Sequence, residues 1–211
     1  MSHRGGIQGV TQVSIMGQFP VALLDQVLRR LQAHSEHMRQ FTLRDDVFMR
    51  GTYTDATTFR EEDVLRIHCI SSQGRNAWSM NALSRPLPIR DNSDVLIRAI
   101  ASIPVLEGNA GALAVALGYS ERRFAFTRKG YSFSSAGGLT IVRVYQIYEP
   151  TDLSEPLDPA YYIMEVCSHT AHKPILLSEA APIQTLRENA TQRTLDFKKV
   201  MLGLVDLSRV E

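Results

Sequence analysis

The stretch Arg122–Tyr148, RRFAFTRKGYSFSSAGGLTIVRVYQIY, decides how the rest of the chain must be read. Its pattern is that of one long β-hairpin. On the first arm Phe124 and Phe126 share a face, while Arg123, Ala125 and Thr127 take the other. The return arm, Leu139 to Tyr148, is apolar on both faces. Leu139, Ile141, Tyr145 and Ile147 point one way, and Val142, Val144 and Tyr148 the other. Successive side chains of a strand project to opposite faces, so a strand apolar on both must be covered on both. One face can line the core of a sheet or barrel. The other requires a helix of the same chain or a second protein. We expect Val142, Val144 and Tyr148 to lie on the outward face and to contribute to an interface, either within the chain or with a partner. The alternative is that a C-terminal helix carrying Ile183, Leu186 and Phe197 covers this face.

Working outward, the N-terminal side opens on Val10–Phe19, where Val13, Ile15 and Phe19 alternate as in a strand. Pro20 suits the first turn of a helix, where its missing N–H is no loss. The run Val21, Leu24, Leu28, Leu31, Ser35, Met38 then steps by three and four, predicting an amphipathic helix. Phe41–Arg50 reads as a short strand and Thr52–Glu62 as a polar loop. Val64–Ile70 and Asn76–Leu83 form a hairpin around Ser72–Arg75, with Trp78 and Met80 on one face. Asp94–Val105 leans to strand, and Gly108–Gly118 to a short helix. Beyond the central hairpin, Thr151–Pro159 is a surface loop and Tyr161–Ser168 a strand. Ser178 is placed to cap a last helix, in which Ile183, Leu186, Ala190, Phe197 and Met201 hold helical spacing up to Gly203. Strand, helix, many strands, short helix, strands, long helix is an order that favours an antiparallel sheet or barrel with helices packed on it, of the α+β class, over a βαβ fold.

The 211 residues suffice for one domain, residues 1–211, and no composition shift marks a boundary within them. Residues 1–8 are polar and Gly-rich and are expected to be flexible. With 44% hydrophobic and 21% charged residues the composition is that of a soluble globular protein. The formal net charge of +1 supplies no global field to recruit nucleic acid or anionic lipid. Cys69 and Cys167 both sit in strand-like runs without CxxC spacing, which predicts buried free thiols in a reducing compartment. No signal core or long apolar run occurs, so an intracellular protein with no membrane partner is expected.

Chemistry-bearing motifs are scarce. There is no P-loop, dinucleotide fingerprint, nucleophile elbow or HExxH. His34 and His37 lie a turn apart on the expected first helix, His169 and His172 flank a strand end, and Asp45-Asp46 and Glu61-Glu62-Asp63 are acidic pairs and runs. All read as solvated polarity, and no metal, cofactor or catalytic residue is assigned. Arg122, Arg123, Arg128 and Lys129, with Arg143 on the return arm, form the one concentrated basic feature. It reads either as a phosphate or nucleic-acid contact or as the outward, edge-protecting face of a sheet. The alternation of Phe124 and Phe126 as core residues favours the second, without sequence-specific nucleic-acid binding.

Several strings, in order, carry a resemblance. Lys129-Gly130-Tyr131-Ser132-Phe133, Gly138 and the strand ending Val144-Tyr145-Gln146-Ile147 resemble the corresponding hairpin of the Mediator subunit 18 family. Leu28-Arg29-Arg30-Leu31 is similar to that family's opening helix, Asp46-Val47-Phe48 to an acidic-x-Val-Phe strand, and Tyr162-Ile163-Met164-Glu165-Val166 to a later strand. Gly9-Val10-Thr11-Gln12-Val13 looks as much like the related subunit 20, while the central hairpin favours subunit 18. The resemblance spans nearly the whole chain. It implies a closed multi-stranded barrel with an N-terminal helix, a short middle helix and a long C-terminal helix. It also implies a non-enzymatic nuclear subunit of the Mediator head module. Such a subunit pairs with the subunit 20 barrel, receives the C-terminal helix of subunit 8, and contacts the RNA polymerase II initiation machinery.

Two other readings are weighed against it. This barrel type also resembles triphosphate tunnel hydrolases, which hold a metal through glutamates two apart on a strand, facing basic residues. Val10–Phe19 has no carboxylate, Glu61 and Glu62 are adjacent, and Glu165 has no acidic i+2 neighbour, so the acidic half is missing. A barrel carrying an apolar ligand would require an open apolar lumen.

Overall fold

The computed structural model describes residues 8–50, 64–72, 75–91, 93–170 and 183–210. In chain order these form β1 (Gln8–Pro20), α1 (Leu24–Ala33), β2 (His37–Arg50), β3 (Val64–Ser72), β4 (Arg75–Leu83), β5 (Leu96–Val105), α2 (Ala110–Ala116), β6 (Tyr119–Ser135), β7 (Thr140–Tyr148), β8 (Tyr161–His169) and α3 (Ile183–Val200). The eight strands close into an antiparallel barrel in the order β1-β5-β4-β3-β2-β6-β7-β8, with β8 returning to β1. The central hairpin, β6 and β7, turns through Gly137 and Gly138. Both have positive φ (64° and 85°), a conformation that costs glycine little and other residues much. Closure gives every strand a neighbour on both sides, although β2 runs past β3 over residues 37–41 and β6 runs past β7 over residues 119–126.

The ladder assigns each side chain to one wall of the barrel. Arg39, Ser132, Arg143, Glu165 and Met16 run side by side across β2, β6, β7, β8 and β1 on the inner face. The outer face carries the larger apolar cluster: Val13, Ile15, Phe19, Ile97, Phe133, Val142, Val144, Met164 and Val166 meet Val27 and Leu31 of α1 and Ala190 and Phe197 of α3. Met201, Val205 and Leu207 complete it. A second outer cluster joins Phe48, Leu65, Ile67 and Met80 to Ala110 and Ala114 of α2. The helices thus supply the other half of the hydrophobic core from outside the barrel.

Local chemistry explains how the covers are held. Asn109 caps α2 by accepting from the backbone N–H groups of Gly111 and Ala112 at 2.9 and 3.1 Å. Thr194 of α3 donates to Ser168 of β8 at 2.9 Å beneath the helix, and Ser168 also bonds Thr140 of β7 at 3.0 Å. After α3 the chain turns at Gly203 and lies against β1, where Met16 and Ser208 exchange backbone hydrogen bonds of 2.9 Å. Gly17 permits that approach, since a Cβ there would collide with the Asp206 carbonyl oxygen. Gly130 plays the same part inside the hairpin, opposite Tyr145, where a Cβ would collide with the Val144 carbonyl oxygen.

Most expected elements are found, and two differ. The first helix ends at Ala33, so Ser35 and Met38 are not on it, and His37 opens β2. The strand expected over Phe41–Arg50 therefore begins four residues earlier. His37–Phe41 pairs with Ser134–Gly130 of β6, and this long-range ladder overrides a helical periodicity that no Gly or Pro interrupts. The expected loop over residues 52–62, with Glu61, Glu62 and Asp63 at its end, the cap at Ser178, His172 and the flexible start up to residue 7 lie outside the described residues.

Candidate functional site

The expected outward trio separates. Val142 and Val144 are on the outer wall, but at 1% and 0% exposure they are sealed beneath the helical layer of α1 and α3. The cover is the chain's own, so neither valine offers surface to a partner. Tyr148 is half-exposed and lines an outer groove of about 620 Å³.

That groove runs over β2, β6, β7 and β8, and no described helix residue lines it. Tyr131, Tyr148 and Tyr162 project into it from the outer face, with Gln40 and Lys129. The Lys129 ammonium sits 5.6 Å from the centre of the Tyr148 ring, and the Tyr162 ring stacks on Phe19 at 5.9 Å. The Tyr162 hydroxyl is pushed above its ordinary pKa, first by burial and then by the nearness of Tyr148 and Tyr131.

A second uncovered region lies around α2. Ala110 and Ala114 are buried under it, whereas Leu113 and Leu117, one turn apart, are 42% and 50% exposed. Leu106, in the loop entering α2, is 77% exposed. Exposed leucines on a short helix are the kind of surface a partner can cover.

The lumen is charged, contrary to the reading of Asp45 and Arg128 as solvated or outward polarity. Asp45 is fully buried, and Arg128 Nε and Nη2 donate to its Oδ2 at 2.8 and 2.6 Å. His68 Nε2 lies 2.6 Å from Asp45 Oδ1. Arg128 and Arg143 both reach Glu165 Oε2, at 3.5 and 3.4 Å. Burial is the largest influence on both carboxylates and pushes their pKa values up. The His68 hydrogen bond and Arg128 charge at Asp45, and the Arg143 and Arg128 charges at Glu165, outweigh it and hold both below the ordinary range. Arg128 also packs over the Tyr145 and Phe126 rings at 5.4 and 5.9 Å. The expected outward, edge-protecting role does not hold for Arg128 and Arg143, which face the lumen, whereas Arg122 and Arg123 lie where β6 runs past β7 over residues 119–126. Phe124, expected in the core, is 55% exposed and stacks on Phe126 at 6.1 Å. Asp46, by contrast, faces outward to Arg44 and Arg122 at 3.0 and 3.5 Å.

Sequence reasoning missed this network, although a signal was present. Asp45 sits between Leu43 and Val47, and Glu165 between Ile163 and Cys167, at alternating positions. A charge that shares a strand face with apolar neighbours on both sides is carried into the same surroundings as they are, and if buried there it needs a partner. Elsewhere in the lumen Gln12 donates to the Cys167 sulfur at 3.0 Å and accepts from Arg98 at 3.4 Å. His34 and His37 fall on different elements, and His169 ends β8. Among the described residues no three of His, Cys, Asp or Glu converge as metal ligands. Nor is any described helix long and apolar enough to cross a membrane. On β1 the inner face presents Gln12, Ser14, Met16 and Gln18 where a tunnel hydrolase would need paired carboxylates. Cys69 and Cys167 are buried free thiols, on the outer and inner face respectively.

No protein-family model matches the chain, and no curated protein matches it. Among solved structures it is similar to a chain of the Schizosaccharomyces pombe Mediator head module, at 16% identity and a TM-score of 0.72, covering 95% of this chain and 98% of that one. It is also similar to the PH1819 protein of Pyrococcus horikoshii, at 9% identity and a TM-score of 0.58, covering 94% of each chain. The Mimivirus capping enzyme triphosphatase follows at 10% identity and a TM-score of 0.51, over 93% of this chain and 90% of that one. The eight-stranded barrel with its three helices is therefore a fold shared with a chain of the Mediator head module and with a triphosphatase.

Proposed function

We propose that the chain is a non-enzymatic structural subunit of the Mediator head module, of the subunit 18 type. In this reading it works in the nucleus, pairs with subunit 20, receives the C-terminal helix of subunit 8 and meets the RNA polymerase II initiation machinery. The observation that carries the reading is the end-to-end likeness to a chain of the fission-yeast Mediator head module, over 95% of this chain and 98% of that one. Fold likeness alone does not assign function. The ordered strings read from the sequence, from the opening helix to the strand at Tyr162–Val166, add to it. So do the exposed leucines at Leu106, Leu113 and Leu117, which suit a chain that docks a second barrel.

The competing reading, a tunnel-type phosphohydrolase, draws on the triphosphatase likeness and on the arginines of the lumen. Against it, Asp45 and Glu165 are each committed to internal cations, and β1 presents no acidic pair to a metal. Co-expression with subunit 20 and the C-terminal segment of subunit 8 separates the two readings. A stoichiometric complex that survives gel filtration and is lost on Leu113→Glu with Leu117→Glu is the expected result. A chain that stays alone and releases phosphate from a nucleoside triphosphate with manganese, in a manner abolished by Glu165→Gln, would overturn the proposal.

A further inference from the structure

Beside the turn of the central hairpin, one mouth of the barrel holds a pocket that belongs neither to the outer groove nor to the assembly proposed above. It has a volume of about 370 Å³ and is lined by His37, Arg39, Ser132, Ser134, Gly138 and Ile141. The register explains the grouping. His37 stands opposite Ser134 and Arg39 opposite Ser132, and strand alternation turns all four side chains to the inner face. Opposed Cβ atoms lie about 5 Å apart and successive inner pairs about 7 Å along the strands, so four hydrogen-bond donors frame one small space. His37, Arg39 and Gly138 are exposed at the rim, whereas Ser132 is buried below it.

The floor is closed. The next inner positions are Phe41 on β2 and Tyr145 on β7, on either side of Gly130, both buried and with their rings edge to face at 6.3 Å. The charge is one-sided. No carboxylate lines the pocket, and among the described residues none pairs with Arg39. Glu165, behind it, is held by Arg128 and Arg143, and Glu36 at the rim accepts from the Gly137 N–H at 3.2 Å. Along the whole inner wall Arg39, Arg66, Arg98, Arg128 and Arg143 stand against Asp45 and Glu165 among the described residues. A cleft lined by an excess of one charge concentrates the opposite ion.

We propose that this blind pocket binds a single phosphate monoester, with Arg39 as the charged donor, the Ser132 and Ser134 hydroxyls as neutral donors and His37 at the rim. Three terminal oxygens and a charge of about −2 match a guanidinium beside two hydroxyls and an imidazole; a carboxylate, with two oxygens and one charge, leaves donors unanswered. The closed floor stops a phosphate chain from running on through the barrel, and no Phe, Tyr or Trp lines the pocket to stack a base. The phosphate and the first atoms of its carrier fill the space. A phosphorylated side chain and a small phosphate ester therefore meet the same four donors.

The test adds methyl phosphate to the full chain and follows its phosphorus NMR line. Its displacement is then measured with a short glycine-alanine peptide carrying one phosphoserine, with the same peptide carrying serine or glutamate instead, and with tripolyphosphate. The expected result is that methyl phosphate binds and that the phosphopeptide displaces it, while the serine and glutamate peptides do not. Arg39→Gln should weaken binding about tenfold, the scale of one charge-assisted contact, and Ser132→Ala with Ser134→Ala about fivefold. Binding should also weaken as salt is raised. A phosphopeptide tighter than methyl phosphate assigns the site to a phosphorylated side chain, and equal affinity assigns it to small esters; either supports the pocket. Arg39 is exposed, so an unchanged thermal transition certifies its variant, and Ser134→Ala alone is the second reading if the double serine change unfolds. Absence of binding by either phosphate at about 10 mM would overturn the proposal. So would displacement by the glutamate peptide as strong as by the phosphopeptide, or binding indifferent to all these substitutions. Tripolyphosphate binding far more tightly than either monoester, in a manner lost in Arg128→Gln, would overturn it too, by showing a tunnel open past Phe41 and Tyr145.

Discussion

The two faces of the barrel wall are made by the same strands, residue by alternate residue, and are held together by opposite kinds of force. On β7, Val142 and Val144 look outward into a dry layer shared with α1 and α3, while Arg143 between them looks inward to Glu165. On β2, Asp45 faces the lumen and Asp46 the outside, yet it is the inner one that is fully buried. The larger part of the hydrophobic core therefore lies outside the barrel, and the interior combines a charge network with a smaller apolar cluster of Phe41, Leu43 and Tyr145. Outer burial is non-directional and gains stability from area removed from water. The inner network gains little net stability, because desolvation offsets attraction, but loses much if one member is removed.

That asymmetry can be broken experimentally. The largest effect is expected from Val144→Asp, which places an unpaired charge in the outer layer. We expect a loss of about 5 kcal/mol or more, enough to abolish the cooperative transition of a domain of ordinary stability. A retained melting transition would mean that the helices do not seal β7. Arg128→Met comes next. It leaves buried Asp45 with His68 alone and weakens the hold on Glu165, and should cost about 3 kcal/mol in denaturant titrations, whereas a change within error would show the network to be dispensable.

The same network predicts the acid limb of the stability curve. Asp45 and Glu165 have folded pKa values below their unfolded ones, so their contribution is present above the unfolded values and is lost as pH falls through the folded ones. Stability should hold down to about pH 4 and decline below it. In Arg128→Met the decline should begin at higher pH; an identical profile in both proteins would remove the lumen pairs from the account. The smallest effect separates the two thiols. Cys69 lies on the outer face at 6% exposure and Cys167 in the lumen at 0%, and burial pushes both thiol pKa values up. Neither should react quickly with a thiol reagent in the native state, and Cys69 should react first. Rapid labelling of Cys167 would indicate an open lumen.

Much of the fold was legible residue by residue. Period-two alternation located β1, β3, β4 and β8, and the double alternation of Leu139–Tyr148 announced a strand covered on both sides. Spacing by three and four located α3, and Gly108–Gly118 located α2. Failures occurred where one periodicity mimicked another. Met38 continues a helical step from Leu31 and belongs to a strand, because nothing local records that β6 stands ready to pair with residues 37–41.

What the sequence by itself determined is which residues share a face: parity is local, set by the pleat of each strand, and it grouped Val142, Val144 and Tyr148 correctly. Which face is the lumen, and what covers the other, only the tertiary structure decided. That choice depends on closing β8 onto β1 and laying α1 and α3 over the join, contacts between residues more than a hundred positions apart. The same closure turned Arg128 inward to Asp45, 83 positions away, and left Tyr148 in a groove with Tyr131 and Tyr162. Pairing energy between distant groups leaves no trace in a local pattern, because its partner is chosen only when the chain folds.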